Sequence, residues 1–162
     1  MHYLAVLQIL VLLALANGSP VIAKRISGNY WSWPLDGNIK FVDGRPLFGA
    51  SKTLRGILVS IVITSACAPL LGLDLKIGLV VATTAMAGDL LASFVKRRLG
   101  LPPSSKAVGL DQIPESLFPL LACRLALSLT VLDIAAGTAI FFVGELVLSR
   151  VLFRLHVRDR PY

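Results

Sequence analysis

The sequence predicts an all-α integral membrane bundle of about five transmembrane helices with short cytoplasmic loops, all in a single domain over 1–162. Three observations carry this. Of 162 residues, 56% are hydrophobic and only 15% are charged, against the roughly 25% charged residues that coat a soluble domain. The apolar residues fall into runs near the ~20 residues a helix needs to cross a bilayer. The lysines and arginines collect in the gaps between alternate runs.

The first run covers 3–23 and is interrupted by Asn17-Gly18-Ser19-Pro20. Ala14-Leu15-Ala16 resembles a signal-peptidase site, but Met1-His2-Tyr3 lacks the basic n-region of a cleaved leader. The second and third runs cover 56–73 and 77–95. The fourth, the shortest, covers 117–132, and the fifth covers 134–153. Between these last two, Asp133 and Gly137 are the only turn signals.

The charges order these runs in the membrane. Lys24, Arg25, Lys40, Arg45, Lys52 and Arg55 separate runs one and two. Lys96, Arg97, Arg98 and Lys106 separate runs three and four, and Arg154, Arg158 and Arg160 follow run five. The opposite side offers only Lys76, beside Asp74. Five crossings put both basic loops and the C-terminus on one face. The positive-inside rule makes that face cytoplasmic and the N-terminus external, in a multi-pass cell-membrane protein. The cluster Asn29-Tyr30-Trp31-Ser32-Trp33 reads as an interfacial anchor.

The net charge is +7. In a soluble protein this balance points to nucleic acid. Here the charges border apolar spans, so no nucleic-acid partner is expected, and anionic lipid or an anionic substrate is the added meaning. The two cysteines, Cys67 and Cys123, form no metal-type pair or disulfide framework. His2 and His156 lie at opposite ends and suggest no ligand pair.

Two stretches carry chemistry. In 43–56, Gly44 and Gly49 have the G-x-x-x-x-G spacing of a phosphate-binding loop and Lys52-Thr53 follow. Ala50 and Ser51 intervene, so the amides and the ammonium do not converge as in a P-loop. In 87–116, Asp89 interrupts an apolar helix, where an ionisable group marks a functional site by default. Ser93 at i+4 and Lys96 at i+7 share its face, with Arg97 at its border. Pro102-Pro103 end the helix, and Asp111 precedes the next run. Two aspartates among lysines and arginines on one membrane face suit Mg2+ bridging phosphates, since this ion takes one or two carboxylates and fills the rest with phosphate oxygens and water. Spacing alone also allows a structural reading, in which Asp89 pairs with Arg124 or Lys96, Lys96-Arg97-Arg98 only sets topology, and Asp111 caps a turn.

Gly88-Asp89, Ser93, Lys96-Arg97 and Leu110-Asp111 resemble the C-terminal signature of CTP-dependent lipid cytidylyltransferases, and Ser51-Lys52-Thr53 with Gly56 resembles a second element of that superfamily. The five-helix branch, the CDP-archaeol synthases, is the closer match. It is carried by Asn17 and Pro20, Val42-Asp43-Gly44-Arg45, Gly49, Lys52-Thr53, Arg55-Gly56, Leu110-Asp111-Gln112 and Leu155-His156. Leu54 stands where the superfamily has Trp, and Val108-Gly109 replaces a longer glycine-rich run.

The resemblance implies transfer of a cytidylyl group from CTP to a membrane lipid phosphate of the archaetidic-acid type (2,3-di-O-geranylgeranylglyceryl phosphate), releasing pyrophosphate in phospholipid biosynthesis. The nucleophile is the lipid's own ionised phosphate oxygen, so charge neutralisation and in-line positioning suffice. It implies Mg2+ on Asp89 and Asp111. Lys96 joins them in catalysis and holds phosphates with Arg97. Lys52, Thr53 and Arg55 take the triphosphate. Ser93 orients a metal ligand or phosphate, Arg45 is a further phosphate contact, and Asn17 meets the lipid headgroup or the cytidine. Arg124 and Glu145 read best as a structural pair. The alternatives are a cytidylyltransferase for phosphatidate or another lipid phosphate, and a non-enzymatic transporter or scaffold, which would bind no CTP. A homo-oligomer is one way for such short helices to complete a lipid groove.

Overall fold

The computed structural model describes residues 2–28, 30–105 and 107–154, without the side chains of 151–154. Five α-helices follow in order: α1 (Tyr3–Ser27), α2 (Leu54–Cys67), α3 (Leu75–Arg98), α4 (Gln112–Ala122) and α5 (Val131–Arg154), with a 3-10 turn at Pro69–Leu71. Four segments are long and apolar enough to cross a membrane: Tyr3–Ser27, Leu54–Leu71, Leu75–Arg98 and Val131–Arg150. Arg154 is the last described residue of the basic tail; Leu155, His156, Arg158 and Arg160, like Asn29 and Lys106, lie outside the described residues.

α1 packs against each of the other helices. Its buried residues Val6, Ile9, Leu12, Leu13, Ala16 and Ser19 recur at helical spacing. All of these but Ser19 meet Val81 and Ala85 of α3, Leu120 of α4 and Ile134 and Phe141 of α5 in one core. Outward faces stay apolar too, with Leu4, Leu7, Val62, Leu91, Val143 and Val147 exposed. A helix surrounded by lipid has no need of a polar face.

Two elements differ from the sequence expectation. α1 does not break at 17–20 but continues through Pro20 to Ser27. Proline has no N–H for the carbonyl four residues back. That carbonyl belongs to Ala16, and the Ser60 hydroxyl of α2 donates to it at 2.8 Å. The bond lost within the helix is replaced from the neighbouring one.

The fourth run is not one helix over 117–132. α4 begins at Gln112 and stops at Ala122. At ~1.5 Å per residue it covers about half of a ~30 Å hydrocarbon core. Pro114 sits in the first turn, where an N–H is not needed, and Pro119 removes a later donor. The chain then runs through turns to Thr130, with several amides paired locally: Cys123 N–H donates to the Pro119 carbonyl at 2.9 Å, Leu127 to Cys123 at 3.0 Å and Leu129 to Arg124 at 2.9 Å. Thr130 and Asp133 restart the helix as a reciprocal capping box. Asp133 N–H donates to Thr130 Oγ1 at 3.2 Å, and Thr130 N–H donates to Asp133 Oδ2 at 2.9 Å. Asp133 is therefore a helix-starting residue within α5.

Asp133 also accepts from the His2 backbone N–H at 3.0 Å and faces His2 Nδ1 at 3.1 Å. This joins the starts of α1 and α5 on one face. The ends of α1, α3 and α5 and the starts of α2 and α4 lie on the other, with the loops 28–53 and 99–111. Between the two faces the described chain runs five times, four times in a helix long and apolar enough to cross a membrane and once in the short α4 with the irregular segment that follows it.

Candidate active site

On the loop side, 28–53 is folded by one carboxylate. Asp36 is buried and accepts from the N–H groups of Phe48 (3.0 Å), Gly49 (2.9 Å) and Asn38 (3.1 Å). Burial alone would raise its pKa, but these donors outweigh it and hold the carboxyl below its ordinary value. Arg98 clamps the same loop. It pairs with Asp43 at 2.6 Å, donates to the Pro46 carbonyl at 2.6 Å, and stacks over Phe41 and Phe94.

Gly49 adopts φ +93, and a Cβ there would lie 3.3 Å from Arg97 Nη1. Glycine thus lets the loop close over Arg97. The short path from Gly49 to α2 delivers Lys52, Thr53 and Arg55 to one place. Thr53 is the N-cap of α2, its Oγ1 accepting from Gly56 N–H at 3.2 Å.

These residues border a cavity of about 500 Å³. Lys52 and Asp89 form an ion pair on its wall. Asn17, Lys24, Thr53, Arg55, Glu115 and Glu145 line it as well. Glu115 reaches Asp89 because α4 lies close to α3 at Gly88. A Cβ on Gly88 would be 2.4 Å from the Pro114 carbonyl oxygen. The Glu115 carboxyl thereby comes to the same cavity wall as that of Asp89. Asn17 Nδ2 donates to Glu115 Oε2 at 3.1 Å. Asn17, Lys52, Asp89 and Glu115, from four separate elements, thus meet in two pairs on one cavity wall.

A second group lies beyond this cavity's lining. Lys96 pairs with Asp111 at 2.6 Å and donates to the Ser105 carbonyl at 3.0 Å. Asp111 also accepts from Ala107 N–H at 3.0 Å. Arg97 is buried and donates from Nη2 to the Pro102 carbonyl at 2.8 Å, while its Nε and Nη1 have no hydrogen-bond partner among the described residues. Ser93 is buried in α3 between the two groups. Asp89 and Lys96 are seven residues apart, ~10 Å along the helix. Arg45 turns to the end of α3, its Nη1 donating to the Arg98 carbonyl at 2.5 Å and the Arg97 carbonyl at 3.3 Å.

Sequence reasoning left Glu115 unremarked and paired Glu145 with Arg124. Instead, Arg124 is exposed in the turn after α4, while Glu145 lines the cavity from α5. Asp89 pairs with Lys52 rather than with Arg124 or Lys96. An intramembrane carboxyl four residues into α4 was the available signal for Glu115.

A second cavity, about 370 Å³, runs between α1 and α5 and is mostly apolar, lined by Leu10, Ala14, Ile22, Ile140, Phe141 and Leu148 among others. Asn17, Val21 and Glu145 line both spaces.

Residues 3–162 match the family model described as CarS-like, CDP-archaeol synthase. The chain is 33% identical over 153 residues to the CDP-archaeol synthase of Sulfurisphaera tokodaii, covering 91% of this chain and 89% of that one. It is 32% identical over 152 residues to that of Pyrobaculum arsenaticum, covering 91% of each. A solved structure described as an intramembrane enzyme for archaeal membrane lipid biosynthesis superposes with a TM-score of 0.70 at 29% identity, covering 85% of this chain and 90% of that one.

Proposed function

The chain belongs to the CDP-archaeol synthase family, membrane enzymes that act as CTP-dependent lipid cytidylyltransferases, and we propose that its two adjoining cavities hold the two substrates of that reaction. The polar cavity takes the triphosphate of CTP, with Lys52, Thr53 and Arg55 on its wall. The apolar cavity takes the chains of an archaetidic-acid-type lipid. The lipid phosphate meets the nucleotide beside Asn17 and Glu145. The observation that carries this reading is that the two cavities adjoin, with Asn17, Val21 and Glu145 lining both. A water-soluble anion and a chain-bearing anion need such different surroundings on either side of one reacting centre.

In the reaction an ionised oxygen of the lipid phosphate attacks the α-phosphorus of CTP. The new P–O bond forms as the bond to the bridging oxygen breaks, and pyrophosphate leaves with that electron pair. No protein base is needed, so the side chains act by charge and orientation. Lys52 neutralises phosphate charge. Lys96 and Arg97 serve as a second phosphate station, supported by the Arg97 N–H groups that have no partner among the described residues. Ser93 and Arg45 support that station from α3 and the loop.

The donor set fits Mg2+ shared with substrate. Among the described residues no three acidic, His or Cys side chains form a self-sufficient metal site. Two carboxyls on one cavity wall, Asp89 and Glu115, suit an ion completed by phosphate oxygens and water. Asp89 would hold the ion and Asp111 would join or support it through Lys96. When bound, Mg2+ supplies charge neutralisation on the phosphates.

The basic face is cytoplasmic in this reading and His2 is external. Val42, 97% exposed on the basic loop, would be labelled as Val42→Cys only from that side. A second copy completing the lipid groove belongs to the same proposal and is read from the mass of the detergent-solubilised particle.

The test is pyrophosphate release from CTP and Mg2+ by the purified protein, against a panel of ether- and ester-linked lipid phosphates. Release with 2,3-di-O-geranylgeranylglyceryl phosphate is expected. Release only with ester-linked phosphatidate would reassign the lipid. No CTP binding by a folded sample would overturn the nucleotide reading.

A further inference from the structure

Arg55 lines the polar cavity, yet its Nη1 donates to two backbone carbonyls, that of Gly28 at 3.2 Å and that of Tyr30. These carbonyls lead into a short aromatic strap, 30–34. The far end of the strap is fixed to the Lys52 segment: Leu35 N–H donates to the Lys52 carbonyl at 2.8 Å, and Leu54 N–H to the Trp33 carbonyl at 3.1 Å. Ser32 and Pro34 of the strap line the same cavity. Tyr30, Trp31 and Trp33 are 82%, 81% and 74% exposed. They lie on the basic face near Lys24 and Arg25, where amphipathic rings settle at the headgroup level.

The strap thus has a cavity side and a bilayer side, and Arg55 touches it from the cavity side. A guanidinium presents five N–H groups in a planar fork. The Nη1 edge serves the strap, and the Nε–Nη2 edge has the geometry for two phosphate oxygens. We propose that Arg55 is a positioning residue that ties the nucleotide phosphates to the 30–34 strap, so that filling the cavity immobilises Trp31 and Trp33 at the bilayer surface. This rests on the assignment of CTP to the polar cavity. The strap carbonyls fix the fork before the nucleotide arrives. A phosphate bound to its other edge then restrains the whole unit, because a charge-assisted bond is roughly twice as strong as a neutral one.

The chain has two tryptophans, and both lie in this strap. Intrinsic fluorescence of the intact protein in vesicles therefore reports on the strap alone when excited at the red edge, where cytosine does not absorb. With CTP and Mg2+, acrylamide quenching should fall and anisotropy rise, with a midpoint equal to the CTP dissociation constant measured by calorimetry. Arg55→Lys keeps the charge but has no fork. It should bind CTP within about tenfold of wild type, lose the tryptophan response, and show a larger fall in kcat than rise in KM. Calorimetric CTP binding with unchanged fluorescence would overturn the proposal, as would a full response in Arg55→Lys. Failure of the wild type to bind CTP would overturn it together with the nucleotide assignment, and calorimetry tells these outcomes apart.

Discussion

Lys52 and Asp89, 37 positions apart in the chain, meet as an ion pair on the wall of the polar cavity. Each holds the other where a phosphate and its counter-ion would need them. Asp89→Asn should fold and lose at least about a hundredfold in kcat, while Lys52→Ala should raise the KM for CTP about tenfold. Asp111→Asn should also abolish turnover. Pyrophosphate release by the purified variants reads all three, and normal turnover by either aspartate variant would remove it from the site.

Gly88 sets the approach of α4 to α3. In Gly88→Ala the new Cβ would sit 2.4 Å from the Pro114 carbonyl oxygen, which is backbone and cannot swing away. The helices must separate, at about 1–3 kcal/mol, and Glu115 withdraws from Asp89. A lower unfolding temperature in detergent with depressed activity is expected; wild-type values for both would show that α4 is not held there.

The Ser60 hydroxyl replaces the donor that Pro20 lacks. Ser60→Ala should destabilise by about 1 kcal/mol in the wild type and by less with Pro20→Ala, whose restored N–H can bond Ala16 itself. A double-mutant cycle on unfolding measures the difference. Equal costs in both backgrounds would show that the two sites are independent.

Gly144 lines the apolar cavity, and a Cβ there meets nothing within 4 Å. Gly144→Leu would project into the space assigned to lipid chains. The KM for the lipid should rise at least about tenfold, with CTP affinity unchanged. A normal lipid KM would place the chains elsewhere.

Asp36 orders the loop as an anion. Its pKa is lower folded than the 3.8 of a free side chain, so its contribution to stability is complete above that value. It is lost as pH falls through the lower, folded value. Loop protection in hydrogen exchange should therefore hold from neutral pH down to about pH 4. Asp36→Asn should weaken it by about 1–3 kcal/mol at neutral pH.

Composition made the membrane fold legible, because apolar runs and segregated charges arise residue by residue. The motif residues Lys52, Asp89 and Asn17 were legible too, and the fold gathers them at one cavity. What escaped depended on distant partners. Pro20 reads as a helix end until Ser60, 44 positions away, is known to satisfy Ala16. Glu115 gains meaning only beside Asp89, which needs the bare surface of Gly88. Asp36 looks like any loop aspartate until three amides converge on it. The early stop of α4 did have a local signal: Thr130 and Asp133 are spaced as a capping box, while Asp133 taken alone suggested a turn.

The apolar cavity is bordered on α1 and α5 by exposed Ile22, Ile140 and Leu148, so a lipid taken up there would approach within the plane of the bilayer. Its effective concentration is then a mole fraction, a count per unit area, whereas CTP is counted per unit volume. Adding inert lipid at fixed total substrate should slow the reaction by surface dilution. Adding buffer to the same vesicles should affect only the nucleotide. One protein would then obey two kinetic laws, one for each of its substrates.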